Sequence, residues 1–193
     1  MDKNTSWVLA SSSPRRRDLL KLLCSNFEVF PSQIDEERQP GESPIQMALR
    51  LAREKAIAVL PSRPRSVIIG ADTIVVCDEH ILGKPGNMEE ARSMLKRLSG
   101  RSHEVITGVC VVKSDVMVVE SARTIVRFSP LTDQEIEDYL LTGESFDKAG
   151  GYASQGKAAR FVEGIEGCYF NVVGLPISLL YRILKRPEFL PHG

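Results

Sequence analysis

The sequence predicts an α/β domain built on a mixed sheet. Short runs rich in Val, Ile and Leu alternate along the chain with amphipathic segments of helical period. The composition is that of an ordinary globular protein, with 42% hydrophobic and 26% charged residues among 193. This length suits one domain, or one domain with two closely packed lobes, and we expect a single domain over residues 1–193.

The chain opens with a strand followed by a capped helix. Residues 7–10 form a short apolar run that predicts a buried strand. Ser13 is a good N-cap and Pro14 fits the first helical position. We expect this helix to end near Cys24, with these leucines on its inner side: Leu19, Leu20, Leu22 and Leu23.

A second strand and a second helix follow. Residues 27–30 read as a strand and residues 31–40 as an acidic, irregular connection. Ser43 and Pro44 open a helix that residues 60–61 close. The next run, residues 67–76, is rich in β-branched residues and is interrupted by one acid, Asp72. Residues 78–80 then predict a turn and residues 87–98 a helix that ends at residues 99–100.

The second half begins with a predicted hairpin. Two runs rich in Val, Ile and Thr, residues 103–112 and 117–128, flank the polar residues 113–115. Thr132 caps a helix over residues 133–141. Residues 143–156 are rich in glycine and polar side chains, so this stretch is either a functional loop or a disordered one. An extended segment at residues 161–165 and a last helix at residues 175–184 complete the prediction.

Charge and cysteine usage exclude some classes of protein. Lys plus Arg and Asp plus Glu number 25 each, so the net charge is zero. This balance argues against a protein that coats a nucleic acid polymer, although a small basic pocket for one nucleotide is compatible with it. The four cysteines form no CxxC pair. We therefore expect buried free thiols in a reducing compartment rather than a disulfide scaffold or a zinc site.

Targeting signals are not expected. Residues 1–6 contain no apolar stretch long enough for a signal peptide, and no apolar run approaches the length that spans a bilayer. The prediction is a cytoplasmic protein with no membrane partner. Its oligomeric state, monomer or homodimer, is left open.

The first candidate site is the basic segment at residues 11–17, which lies at a strand-to-helix junction. Free backbone N–H groups and the helix dipole make such a junction an anion site, and hydroxyl and guanidinium groups add donors for phosphate. A capped surface helix with solvated arginines is the alternative. Three arginines at a helix N-terminus oppose the dipole, which favours a bound anion.

Asp72 is the second candidate. A lone carboxylate within a hydrophobic strand is costly to bury unless it is paired or bound to metal, and strand ends facing a cleft carry catalytic groups in α/β folds. Capping of a neighbouring element is the alternative. Glu36 is a hard oxygen ligand suited to magnesium or manganese, although a solvated acidic loop fits its composition better. Lys55 and Lys84 have the ordinary interpretation of solvated lysines.

The glycine-rich loop at residues 147–156 is a further candidate. Its glycines allow the backbone to approach a ligand closely, and Gln155 offers both a donor and an acceptor to a base edge. Tyr152 could stack on a ligand or pack in the core. A mobile linker is the alternative. Residues 164–176 are interpreted as a structural strand–turn–helix unit.

Short blocks in fixed order together resemble the Maf family of nucleotide pyrophosphatases. Each block alone is weak, but the set spans nearly the whole chain. The blocks are LAS at 9–11, SPRR at 13–16, GADT at 70–73, KP at 84–85, DKAGGY at 147–152, QG at 155–156 and NVVGLP at 171–176.

The resemblance implies a fold and an activity. The implied fold is an elongated mixed-sheet α/β fold of the inosine-triphosphate-pyrophosphatase (Maf/Ham1-like) type, with a central cleft between two lobes. The implied reaction is hydrolysis of a nucleoside triphosphate to the monophosphate and pyrophosphate with a divalent metal, Mg or Mn. The DKAGGY block and Gln155 resemble the branch that acts on dTTP and UTP in cleaning the nucleotide pool.

Residue roles also come from the resemblance. Asp72 corresponds to the proton acceptor, and with Glu36 to the metal-binding carboxylates. The specificity positions correspond to Arg15, Thr73 and Gln155. The phosphate-binding positions correspond to Ser11, Arg16, Lys55 and Lys84. The chain departs from the family pattern at residues 153–154 and at Gly83.

Two rival functions stay open at this point. One is a sibling specificity such as 7-methyl-GTP, whose branch carries a more acidic block at the glycine-rich loop. The other is a non-catalytic nucleotide-binding regulator of septation or cell division. A regulator could keep the arginine segment but would have no need for Asp72, Glu36 and both lysines.

Overall fold

The computed structural model describes residues 6–189. The prediction that residues 1–6 carry no signal peptide therefore lies, apart from Ser6, outside the described residues. None of the helices among residues 6–189 is long and apolar enough to cross a membrane. The cytoplasmic location and the oligomeric state stay predictions.

The described residues form seven strands, six α-helices and four short 3₁₀ turns. The strands are β1 Trp7–Leu9, β2 Glu28–Val29, β3 Val67–Cys77, β4 His80–Leu82, β5 Ser102–Lys113, β6 Val116–Phe128 and β7 Val162–Glu166. The helices are α1 Pro14–Leu20, α2 Pro44–Val59, α3 Met88–Leu98, α4 Asp133–Leu140, α5 Tyr169–Val173 and α6 Ile177–Leu184. The 3₁₀ turns are Leu60–Ser62, Ala149–Gly151, Lys157–Phe161 and Pro187–Phe189.

All seven strands belong to one mixed sheet. Its order is β2-β1-β3-β5-β6-β7, with β4 paired to β3. Strand β1 runs parallel to both β2 and β3, whereas β4 and β7 are antiparallel to β3 and β6. The predicted α/β class with a mixed sheet is confirmed.

Side-chain caps start four of the helices where the sequence predicts them. Ser13 accepts a hydrogen bond from the backbone N–H of Arg16, and Asn87 accepts one from Glu90. Ser43 and Thr132 each form a reciprocal capping box with the residue three positions later. Each cap satisfies backbone donors that the first helical turn cannot pair internally.

Some element boundaries differ from the prediction. Helix α1 ends at Leu20 rather than near Cys24, because the chain tightens there into a turn in which Leu22 N–H bonds to the carbonyl of Leu19. Leu22 is consequently 62% exposed, not on the inner side. Helix α5 has only 5 residues, too few to show a helical period in the sequence.

Within the described residues the chain divides into two compact units, each with its own core. The first unit comprises residues 6–72, 107–122 and 174–189, and the second comprises residues 73–106 and 123–173. The first core is built from residues that include Val8, Ala52, Ala56, Ile68 and Cys110. The second core includes Leu95, Phe128, Tyr139, Tyr152 and Phe161. The four cysteines are free, and Cys77 and Cys110 are buried as expected.

Helix α2 lies unusually close to two strands in the first unit. A Cβ atom on Gly70 of β3 would stand 2.2 Å from the carbonyl oxygen of Ala52, and one on Gly108 of β5 would stand 2.1 Å from that of Ala48. Ala48, Ala52 and Ala56 recur every four residues and so form one face of α2. The helix backbone can approach the sheet because both sides of the contact are small.

Candidate functional site

Asp72 lies in the middle of β3, not at a strand end as the sequence interpretation suggested. The strand runs without a break from Val67 to Cys77. Because side chains alternate along a strand, Asp72 shares a face with Gly70, the residue on which α2 packs. Close packing of α2 at Gly70 therefore brings side chains of that helix within reach of the carboxylate.

Lys55 of α2 makes that contact. Its ammonium Nζ donates to Oδ1 of Asp72 at 2.6 Å, and both side chains are about nine-tenths buried. The ordinary interpretation of Lys55 as a solvated lysine on a helix face is therefore wrong. A buried ammonium is tolerated only when opposite charge accompanies it, and Asp72 supplies that charge.

Glu36 completes a cluster of three charged groups. Its Oε1 lies 2.7 Å from the same Lys55 ammonium, although the Glu36 side chain remains 46% exposed. Two carboxylates thus converge on one cationic nitrogen. With one positive and two negative groups, the cluster carries a formal charge of minus one. Composition favoured a solvated loop for Glu36, and its exposure agrees with that interpretation, but the side chain also forms this ion pair.

The basic segment folds back onto the first unit rather than into solvent. The Ser11 hydroxyl is buried and accepts from Ser13 N–H at 3.2 Å and from Nη1 of Arg16 at 3.3 Å. Nε of Arg16 donates to the carbonyl of Gly174 at 2.8 Å. Arg17, in contrast, is half exposed and lies 3.7 Å from Asp18.

The electrostatics of Arg16 connect it with the acidic cluster. Burial lowers the pKa of the Arg16 guanidinium from its ordinary value, and the negative charges of Asp72 and Glu36 partly oppose this shift. A guanidinium held beside carboxylates, with a buried hydroxyl on the same segment, presents fixed donors to phosphate oxygens. Arg15 precedes it and is half-buried.

The structure divides the predicted site residues between the two units. The first unit holds Ser11, Arg15, Arg16, Glu36, Lys55 and Asp72. The second unit holds Thr73, Lys84 and Gln155. Thr73 follows Asp72 directly in β3 and is half-buried, whereas Lys84 and Gln155 are exposed.

In the second unit, the turn that carries Lys84 is joined to the glycine-rich loop. The carbonyl of Gly83 accepts a hydrogen bond from Gly150 N–H at 3.0 Å. Gly150 and Gly151 both have positive φ, 74° and 70°, which side chains disfavour. The Gly83–Gly150 bond gives the loop a defined path within the second unit, and its functional role stays a prediction.

Tyr152 anchors the far end of this loop in the core. Its hydroxyl lies 2.7 Å from Nε2 of His103, and its ring packs edge-on against Phe128 at 4.8 Å. Burial lowers the pKa of His103 to about 4, so this histidine is neutral at neutral pH. Tyr152 therefore packs rather than stacking on a ligand. Sequence reasoning missed His103, because a single histidine in a strand carries no signal of its partner.

Gln155 lies in a tight turn just beyond Tyr152. Gly156 N–H bonds to the carbonyl of Ala153 at 3.1 Å, and Lys157 N–H donates to the Glu144 carboxylate at 2.9 Å. Glu144 was also missed by sequence reasoning. It is far along the chain from the turn that carries Gln155, so no local pattern indicates its contact with that turn.

Asn171 has a packing role, in agreement with the structural interpretation of residues 164–176. The side chain is fully buried, and its Nδ2 donates to the carbonyl of Val105 at 2.8 Å and to Oγ1 of Thr124 at 2.9 Å. Thr124 in turn accepts from Cys168 N–H at 3.1 Å. These bonds fix α5 against β5 and β6.

Comparison with protein families identifies the chain. Residues 6–187 match the model of the family described as Maf-like protein. The chain belongs to this family. Two similar relatives, both named dTTP/UTP pyrophosphatase, come from Koribacter versatilis (strain Ellin345) and Clostridioides difficile (strain 630). The first is 50% identical, with 95% of each chain covered, and the second is 49% identical, with 93% of each covered.

The fold of this Maf-like protein is shared with a solved structure, the Ham1 protein of Staphylococcus aureus. The TM-score is 0.52 and the sequence identity is 12%, with 94% of this chain and 98% of the other covered. At this identity the likeness concerns the fold alone. It supports the expected Maf/Ham1-type fold.

The carboxylates of Glu36 and Asp72 offer oxygen donors for a divalent metal in this Maf-like protein. Among residues 6–189 there is no group of three or more His, Cys, Asp or Glu side chains placed to hold an ion. Magnesium, however, is commonly held by one or two carboxylates, with substrate phosphates and water completing the shell. Glu36 and Asp72 already converge on one cation, the Lys55 ammonium, so their geometry fits such a metal.

Proposed function

We propose that this chain hydrolyses nucleoside triphosphates, dTTP and UTP foremost, to the monophosphate and pyrophosphate, and thereby removes unwanted nucleotides from the pool. The observation that carries the proposal is the Glu36–Lys55–Asp72 cluster beside Arg16, in a family whose relatives at about half identity are named dTTP/UTP pyrophosphatase. Buried paired charges next to an arginine suit phosphoryl chemistry.

Asp72 is the proposed proton acceptor for the attacking water. Lys55 engages Oδ1 and so fixes the direction of the carboxylate in the buried site. A general base needs a fixed orientation as well as hydrogen-bond reach to the water, and the Lys55 contact at 2.6 Å supplies the fixed orientation. Asp72 and Glu36 are also the proposed metal ligands.

The metal, magnesium or manganese, neutralises charge on the phosphate oxygens when bound. Arg16, Lys55 and Lys84 are the proposed phosphate-binding cations, whose role is to stabilise the negative charge that builds on the transferred group, and the Ser11 hydroxyl is proposed to donate to a phosphate oxygen. The partly buried bond from Arg16 to Ser11 holds the arginine in place before substrate arrives.

Base selection is assigned to three positions outside this cluster. Gln155 is exposed at the tip of a tight turn, where its amide can donate to and accept from a base edge. Arg15 and Thr73 are the other proposed specificity residues. Arg15 is adjacent to the phosphate-binding Arg16, and Thr73 is adjacent to Asp72, so each borders the reacting group.

One assay tests the activity. The purified protein is incubated with manganese and a panel of triphosphates that includes dTTP, UTP, the purine triphosphates and 7-methyl-GTP, and released pyrophosphate is measured. We expect release to be fastest with dTTP and UTP. Tight nucleotide binding without release would contradict the proposal and indicate a nucleotide sensor. Fastest release from 7-methyl-GTP would overturn the pyrimidine specificity.

A further inference from the structure

The turn that carries Gln155 is held by one carboxylate from an earlier part of the second unit. Oε2 of Glu144 accepts a hydrogen bond from the backbone N–H of Lys157 at 2.9 Å. Lys157 is the first residue of a 3₁₀ turn, so its N–H has no partner within that turn and Glu144 acts as its cap. Gln155 lies only two residues before this anchored amide.

The Glu144 carboxylate lies very close to the backbone of Gly156. A Cβ atom at this position would stand 2.2 Å from Oε2 of Glu144 and 3.1 Å from its Cδ. The backbone of Gly156 has φ −110°, which any residue can adopt. A side chain at position 156 would therefore have to displace the Glu144 carboxylate, whereas the backbone conformation itself accepts any residue.

The backbone of Glu144 is itself fixed on both sides. Its N–H donates to Oγ1 of Thr142 at 3.3 Å, and its carbonyl accepts from Nζ of Lys148 at 2.5 Å. Lys148 is largely buried and also pairs with Asp147. Lys148, itself paired with Asp147, thus helps to hold the Glu144 backbone in place. The Glu144 carboxylate is directed at residues 156–157.

We propose that Glu144 is a positioning residue for base recognition, which fixes the turn that presents Gln155. This inference rests on the proposed function, in which Gln155 reads the base. Gln155 is exposed, so the backbone of the turn fixes the position from which its side chain extends. A recognition group must be held within a fraction of an ångström to discriminate between bases, and a tight turn with one end anchored provides that.

The test compares six variants by kcat and KM for dTTP, UTP and the purine triphosphates. Glu144→Ala removes the acceptor, and we expect KM for dTTP and UTP to rise roughly tenfold, with preference over purines reduced and kcat within about twofold. Glu144→Gln keeps an amide oxygen that accepts from Lys157 and should restore KM to within about threefold of the wild type. Gln155→Ala reports whether the glutamine itself selects the base.

Glu137→Ala is the matched control. Glu137 lies in the same unit and is bound by Arg92 at 2.5 Å and 2.8 Å, a contact outside the glycine-rich loop. Its removal should leave KM and base preference unchanged. If Glu137→Ala shifts base preference as much as Glu144→Ala does, the effect is one of general stability and the inference is overturned.

Gly156→Ala should cause the same rise in KM and the same loss of base preference by a different change. The added methyl group must displace the Glu144 carboxylate, so this variant should reproduce the kinetics of Glu144→Ala. In the double variant Glu144→Ala/Gly156→Ala the methyl group has space, and the effects should not add. Additive effects would contradict a direct contact between the two residues during catalysis.

The outcomes distinguish the positioning role of Glu144 from the base-reading role of Gln155, on which it rests. If Gln155→Ala leaves base preference unchanged, the base-reading role fails, and the inference fails with it. If Gln155→Ala lowers preference while Glu144→Ala slows all substrates equally, only the positioning role is overturned. Amide hydrogen exchange adds a readout without substrate, because Lys157 N–H should lose protection in Glu144→Ala and retain it in Glu144→Gln.

Discussion

At the scale of single residues, the buried charges of the first unit carry the chemistry. Asp72, Lys55 and Glu36 form one cluster in which each carboxylate is compensated by the same ammonium. The buried Lys55–Asp72 pair contributes to stability only while it is complete, because the loss of either member leaves the other charge buried without its partner. The two substitutions below distinguish the catalytic part of this cluster from its structural part.

Asp72→Asn keeps the size and shape of the side chain but removes the carboxylate that accepts a proton. We expect pyrophosphate release to fall by a factor of about 10² to 10⁴, the usual contribution of a general base. Nucleotide affinity, measured by calorimetry in calcium or without metal, should change only a few-fold. Full turnover in this variant would contradict the assignment of Asp72 as the proton acceptor.

Lys55→Met leaves Asp72 buried without its ammonium. We expect the free energy of unfolding in urea to fall by about 2–4 kcal/mol. Manganese should raise the melting temperature of this variant more than that of the wild type, since Glu36 and Asp72 then lack the ammonium that they share. Lys96→Met is the control, because the Lys96–Asp133 pair is exposed and its loss should have little effect. Equal manganese shifts in both proteins would count against metal binding at the two carboxylates.

Residue type alone predicted part of this site. Asp72 could be found from the sequence because a lone acid in an apolar strand needs a partner. Lys55 and Glu36 could not be assigned by composition, since solvated lysines and acidic loops are common, and only the family pattern pointed to them. Glu144 and His103 were missed entirely. Their roles depend on contacts across many residues, which no local pattern encodes.

At the scale of elements, close packing of α2 on the sheet places the reactive groups. Gly70 and Gly108 lie on neighbouring strands and face the alanine side of the helix. Helix starts were predictable because Ser13, Ser43, Asn87 and Thr132 are capping residues with a local signature. Helix ends and α5 were not, since they depend on tertiary contacts and on segments too short to show a period.

Gly70→Ala tests the link between packing and chemistry. Its Cβ atom would stand 2.2 Å from the carbonyl oxygen of Ala52, a backbone atom that cannot rotate away. We expect a loss of about 1–3 kcal/mol in stability from overpacking, with a lower kcat as Lys55 is drawn away from Asp72. Gly86→Ala, whose nearest neighbour would be the flexible Glu90 carboxylate at 3.4 Å, serves as the control for stability. A Gly70→Ala protein as stable and active as the wild type would show that α2 has more freedom than this contact implies.

At the scale of the whole molecule, stability depends on a histidine that is buried in its neutral form. His103 is 2% exposed and contacts Tyr152 and Phe128. Burial lowers its pKa to about 4 from an ordinary value of 6.5. The unfolded chain therefore binds a proton at a higher pH than the folded chain does, and this difference makes acid unfolding more favourable.

The pH dependence of unfolding follows from the sign of that shift. The contribution of His103 is complete above pH 6.5 and is lost as the pH falls toward about 4. Over this window it amounts to about 3 kcal/mol. His103→Gln should be less stable at pH 7 but should lose less stability than the wild type on acidification. Urea unfolding at pH 7 and pH 4.5 measures both, and identical pH dependence in the two proteins would contradict the burial argument.

The spacing between α2 and the sheet also limits which residue can replace Lys55. Because glycine and alanine already form the contact, the helix cannot move inward, and its outward movement would expose the core. The compact ammonium of Lys55 reaches Asp72 on a four-carbon stem, and we expect a planar guanidinium, which is broader, to fit this position poorly. Arginine at position 55 would be a conservative exchange of charge but not of shape. We expect this position to accept no other natural cation without loss of the Asp72 contact.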